Sequence, residues 1–115
     1  MPLEAGERDR GFVLDMILSG EDAVEFAEGL DKAAFLKSRL HQNAIIRAIE
    51  VVGEAASRLS PEFRNAHRAL GWSEIIGMRH RLIHGYDKVS LDVVWDVVRD
   101  ELPATVEALR RISNA

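Results

Sequence analysis

Cysteine is absent from the chain, which removes disulfides and thiolate metal ligands and gives no support to an oxidising compartment. Also missing is any apolar run of membrane-spanning length, and the opening residues Met1-Pro2-Leu3-Glu4-Ala5-Gly6-Glu7 are acidic and lack an apolar stretch. Neither a signal peptide nor a membrane partner is therefore expected, and a cytoplasmic location is the simple reading. There is no apolar–polar alternation of period two, no Asn-Gly hairpin signal and no internal repeat. No long polar or Pro/Gly-rich tract argues for disorder.

What is present is globular composition: 115 residues, 47% hydrophobic and 30% charged. That length fits one domain, residues 1–115, yet leaves a core small enough for a second subunit to cover useful apolar surface. The net charge of −4 is unevenly spread. Residues 1–31 carry nine acids against two arginines, so the remainder is net positive and can tolerate phosphate. The early acids Glu21, Asp22, Glu25 and Glu28 read first as a solvated helix face.

Helical periodicity dominates, and the expected fold is an all-α, up-and-down bundle of four to five helices. A first helix is predicted over 8–19, and Ser19 with Asp22 three residues on can cap a second reaching Leu30. Asp31 can cap a long third helix over 32–59, where Ile45, Ile49, Val52, Ala56 and Leu59 recur at helical spacing. Its polar line holds Asn43, Arg47, Glu50 and Glu54, facing solvent or a cleft. Ser60-Pro61 is an N-cap followed by proline at the first helical position, predicting a short helix over 61–68 that Gly71 breaks. A helix opening near Ser73 should close at Gly85. Ser90 caps the last, about 91–112, where Pro103 should cause a kink and Thr105 interrupts the apolar stripe.

The stretch Gly77-Met78-Arg79-His80-Arg81-Leu82-Ile83-His84-Gly85-Tyr86 carries the chemistry. Trp72, Ile75, Arg79, Leu82 and Tyr86 recur at spacings of 3, 4, 3 and 4, so Arg79 occupies a place where the pattern asks for an apolar residue. A guanidinium there should meet a carboxylate, with Glu54 or Glu50 as internal partner, or a bound phosphate, or the mouth of a cleft. The bland alternative is that it snorkels from the edge of the stripe. His84 stands roughly 140° around an ideal helix from Arg79, a gap that a phosphodiester can span. Arginine offers a rigid fork to phosphate oxygens, and histidine can take a proton from a ribose 2′-OH or give one to a leaving 5′-oxygen. The pair suits metal-free RNA cleavage through a 2′,3′-cyclic phosphate.

Tyr86, the only tyrosine, could accept a nucleotidyl group, whose phosphate would fill the anion site of Arg79 and His84. Its simpler role is packing with a hydrogen-bonded tip. Trp72 can stack a base but more often serves as core. His80 and His84 have the separation that lets two imidazoles share a metal. Arg81, however, stands where a zinc protease needs glutamate, so neither a metal nor another cofactor is assigned. His41 and His67 read as surface histidines. An Arg-x4-His pair is a weak signal alone; with a single tyrosine two residues later at a glycine-closed helix end it becomes much more specific.

The string from Trp72 to Trp95, with Arg79, His84, Gly85 and Tyr86, resembles the signature of the HEPN superfamily. More narrowly it is similar to the HepT toxin branch, as is the block Arg47-Ala48-Ile49-Glu50-Val51-Val52-Gly53-Glu54-Ala55. The resemblance implies a two-fold homodimer, able to join a higher hetero-oligomer, with RNA rather than DNA cut where two copies of the motif face each other. It implies that Arg79 and His84 are catalytic, with Glu54 and Arg47 as supporting polar residues. A minimal nucleotidyltransferase antitoxin would adenylylate Tyr86, placing the chain in a type II or type VII-like toxin–antitoxin system. The competing reading is a non-catalytic helical module that binds nucleotides or regulates a nucleotidyltransferase.

Overall fold

The computed structural model describes residues 5–82 and 88–114, and among them the regular structure is helical. The helices are α1 (Ala5–Ala27), α2 (Lys32–Lys37), α3 (Arg39–Ser57), α4 (Pro61–Ala66), α5 (Trp72–Arg81), α6 (Leu91–Asp96) and α7 (Leu102–Asn114). A 3-10 turn over Arg68–Leu70 precedes α5, and a π turn over Val97–Glu101 joins α6 to α7. The all-α bundle expected from the sequence is borne out. Helix α3 packs against α1 on one side and α5 on the other, while α1 also packs against α7. Met16, Phe35, Ile45, Ile49, Val52, Val94, Leu102 and Leu109 fill the centre. The chain's extents are 45 × 31 × 29 Å.

Three of the expected caps form. Asp31 accepts from the Ala34 N–H at 2.8 Å, Ser60 from Phe63 at 3.1 Å and Ser90 from Val93 at 3.4 Å. Ser60 does more, because its N–H and hydroxyl both donate to Asp9, the one buried charged side chain among the described residues. Gly71 adopts φ +66°, a left-handed conformation that costs glycine little, and ends the 3-10 turn there. The Gly85 cap lies outside the described residues.

Two boundaries differ from expectation. The predicted break near Ser19 is absent: the buried stripe Val13, Met16, Ile17, Gly20, Ala23 and Ala27 runs unbroken, so α1 is one helix. Gly20 sits in it because α7 presses close; a Cβ there would lie 2.6 Å from Val106 Cγ2. Conversely, the predicted helix over 32–59 is split at Ser38, which has extended backbone and accepts from the His41 N–H. The split lets α2 deliver the fully buried Phe35 ring to Trp95, 5.1 Å away, while α3 starts afresh along its own apolar stripe.

Pro103 is the second residue of α7, directly after the π turn. A proline in a helix interior lacks the N–H and crowds the preceding turn. Here the turn before it widens into π geometry, with the Leu102 N–H donating back to the Val97 carbonyl. Thr105, which breaks the apolar stripe, donates its hydroxyl to the Glu101 carbonyl one turn earlier.

Candidate functional site

The site begins with a glycine. At Gly53 an added Cβ would meet the Ile76 carbonyl at 3.4 Å and Arg79 Cγ at 3.7 Å, so α5 lies close along this face of α3. The next residue, Glu54, consequently reaches across, and its carboxylate accepts from Arg79 Nη1 at 2.6 Å. Four residues on, at the C-cap of α3, Arg58 donates its Nε to the other oxygen of Glu54 at 3.1 Å. One carboxylate thus ties two guanidinium groups. Hydrogen bonds from Arg58 first, and Arg79 second, hold the Glu54 carboxyl below its ordinary pKa.

Arg79 is therefore neither buried nor loose. Its side chain is 39% exposed and that of Glu54 is 43%. The pair uses Nη1 alone among the described contacts, and a guanidinium has five N–H donors, so most of the fork remains for an anion. Beside it is a hollow of about 360 Å³ lined by Ile46, Glu50, Arg79, His80, Leu82 and Val89. The alternatives of Glu54 and Glu50 as partner for Arg79 are thereby resolved: Glu54 takes the ion pair and Glu50 faces the hollow.

Arg47 stands apart from that hollow. It lines a second one, about 230 Å³, with Phe12, Asp15, Val51, Glu54, Ala55 and Arg58. Glu54 therefore sits between the two, touching Arg79 and bordering the space that Arg47 also borders. His84 and Tyr86 lie outside the described residues. Trp72 is core, 7% exposed, and its Nε1–H donates to the carbonyls of Arg64 and His67. His67 packs on the Phe63 ring, 4.6 Å away, and His41 meets the Ser38 hydroxyl.

Arg81, inside the motif, turns away from Arg79 to make a two-pronged pair with Glu101 on the π turn, at 2.7 and 3.2 Å. That partner raises its already high pKa, and the pair braces the C-terminal end of α5. Sequence reading passed over Arg58, although its position four residues after Glu54 was the available signal. Nothing in the sequence marked Glu101 for Arg81. Another hollow, about 940 Å³, runs between the 3-10 turn and α7 and includes Arg68, Thr105 and Arg111 but none of the Arg79 group.

Among the described residues no helix is long and apolar enough to cross a membrane, and no three His, Asp or Glu side chains gather as metal ligands. Fold and site together define a small all-α domain of the HEPN kind, with an arginine braced by a carboxylate at the edge of a cleft. The chain belongs to the HepT-like family, whose model, described as "Ribonuclease HepT-like", matches residues 16–112. It is 31% identical over 94 residues to a Methanocaldococcus jannaschii protein named "Putative RNase", covering 82% of this chain and 86% of that one. It is 35% identical over 80 residues to the "Probable ribonuclease HepT" of Thermococcus cleftensis, covering 70% and 73%. No solved structure matches the chain.

Proposed function

We propose that the protein is a metal-independent endoribonuclease and the toxin of a toxin–antitoxin pair, working in the cytoplasm as a two-fold homodimer. The observation that carries this reading is Arg79: a guanidinium oriented by Glu54, half-exposed at a cleft wall, in a chain of the HepT-like family. Arg79 binds the phosphodiester, and His84 moves the proton. The ribose 2′-oxygen attacks phosphorus as its proton leaves, the bond to the 5′-oxygen breaks, and that oxygen takes a proton, leaving a 2′,3′-cyclic phosphate and a 5′-OH. Fixed cationic stabilisation and acid–base transfer of this type each contribute about 10²–10⁴-fold in rate.

A nucleotidyltransferase partner controls the reaction through Tyr86. Its hydroxyl oxygen attacks the α-phosphorus of ATP, pyrophosphate leaves, and the attached AMP places a phosphate beside Arg79 that repels RNA.

The test is cleavage of RNA by purified protein in excess EDTA. The wild type should cut and leave cyclic-phosphate ends, while Arg79→Ala and His84→Ala, checked as folded by circular dichroism, should each lose about 100-fold or more. Incubation with the partner and ATP should add AMP to the wild type but not to Tyr86→Phe, as read by mass spectrometry. Full cleavage by folded His84→Ala would refute the site. Absence of cleavage at any protein concentration, with partner binding intact in Arg79→Ala, would instead establish the non-catalytic regulatory module.

A further inference from the structure

The hollow beside Arg79 contains a carboxylate to which phosphodiester cleavage gives no task. Glu50 stands one turn before Glu54 on α3 and lines the 360 Å³ space with Ile46, Arg79, His80, Leu82 and Val89. Arg79 takes its carboxylate from Glu54. Among the described residues no cation forms an ion pair with Glu50. An anionic side chain in a cleft that receives a phosphodiester repels the ligand unless it faces a part of the nucleotide that offers hydrogens. The nucleobase edge is that part.

An ionised carboxylate only accepts, through two oxygens set side by side. Of the four RNA bases, guanine alone presents two adjacent donors on its Watson–Crick edge, N1–H and the N2 amino group. Adenine and cytosine set one amino group beside a ring acceptor, and uracil sets its single N3–H between two carbonyls. Guanine therefore makes two parallel N–H···O bonds with Glu50 where the others make one and press a lone pair against the second oxygen. Ile46 and Val89 give apolar surface for the face of a base, with the buried Leu82 behind them, and the exposed His80 supplies a donor suited to guanine O6 or N7. The volume lies within the ~300–1,000 Å³ range of small-ligand pockets.

We infer that Ile46, Glu50, His80, Leu82 and Val89 form a guanine-recognition subsite that selects the nucleotide presented to Arg79. This deepens the nuclease reading and rests on it for its purpose, but base binding can be measured without any cleavage.

Isothermal titration of the wild type with guanosine, adenosine, cytidine and uridine 3′-monophosphates reads the subsite directly. The guanosine compound should bind about tenfold or more tightly than the other three, as one good bidentate pair allows. Glu50→Gln should lose that preference, since its amide turns a donor toward guanine's donors. Glu50→Asp, which keeps the charge but shortens the reach, should weaken guanosine binding and serves if the glutamine variant does not fold. In mixed-sequence RNA, wild-type cuts should cluster at guanosine and Glu50→Gln cuts should spread over all four bases. Equal binding of the four compounds, no binding at millimolar concentration, or an unchanged preference in Glu50→Gln would overturn the subsite. Cleavage without base preference would remove the subsite and keep the nuclease; guanine preference without cleavage would do the reverse.

Discussion

Two glycines in helix interiors, Gly20 in α1 and Gly53 in α3, let neighbouring helices approach, but the two contacts serve different ends. At Gly20 the neighbour is the stiff side chain of Val106, and the space is filled to the point where one carbon would collide. At Gly53 the nearest atoms are two backbone carbonyls of α5 and the Arg79 Cγ at ordinary contact distance, and the adjoining side chains are charged and half-exposed. The first contact maximises buried apolar density. The second sets the register of α5 on α3 so that Glu54 meets Arg79. Stability and alignment are thus supplied by different faces of the bundle, and substitutions can separate them.

The largest stability difference should come from Gly20→Ala. Alanine normally favours a helix over glycine by about 1 kcal/mol. Here its Cβ would lie 2.6 Å from Val106 Cγ2, and valine in a helix is nearly confined to one rotamer. Overpacking of this kind costs about 1–3 kcal/mol, so a net loss of about 1 kcal/mol is expected in urea unfolding. The double variant Gly20→Ala with Val106→Ala should be less destabilised than the sum of its parts, because the clash goes with the methyl groups. A stabilised Gly20→Ala would mean that α1 and α7 are not so tightly apposed.

Both halves of this contrast bear on how much the sequence discloses. Caps at Asp31, Ser60 and Ser90 were legible because a short polar side chain before an apolar stripe acts locally. The Ser19 cap with Asp22 offered the same local signal and did not form, because the buried stripe runs through it and Gly20 is fitted to Val106, 86 residues away. Ser38 was missed for the opposite reason: the apolar pattern continues across it, and only the burial of Phe35 against Trp95 requires the turn. Arg79 stood out as a cation in an apolar stripe. Choosing Glu54 over Glu50 as its partner needed the distance between two helices, which periodicity does not contain. The π turn before Pro103 was hidden likewise, since a proline signals strain but not how the turn will absorb it.

Gly53→Ala should behave oppositely to Gly20→Ala and with smaller size. The 3.4 Å approach to the Ile76 carbonyl is ordinary contact, so the helix-propensity gain of up to about 1 kcal/mol remains available. Unfolding should show stability unchanged or raised. RNA cleavage is the sharper readout, because any shift of α5 moves Arg79. A Gly53→Ala protein that is more stable but a slower nuclease would show that this glycine serves alignment, whereas a clear loss of stability would make the two contacts alike.

The subtlest distinction between the contacts is their response to pH. Glu54 is held below the ordinary carboxylate range by hydrogen bonds from Arg58 and then Arg79. A carboxyl with a lowered folded pKa contributes stability that is complete above the unfolded value and disappears as pH falls through the folded one. The brace on Arg79 should therefore be intact at neutral pH and released in acid, while the Gly20–Val106 contact holds no titrating group and stays indifferent. Carbon NMR of the Glu54 carboxyl would follow this site directly. Arg58→Ala should raise its pKa most and Arg79→Ala somewhat less, and the protonation of Glu54 should coincide with a change in the Arg79 Nη1 environment. A wild-type Glu54 titrating at the ordinary value would mean that the carboxylate does not hold Arg79 in solution, leaving only the packing of α5 on α3 to aim the guanidinium.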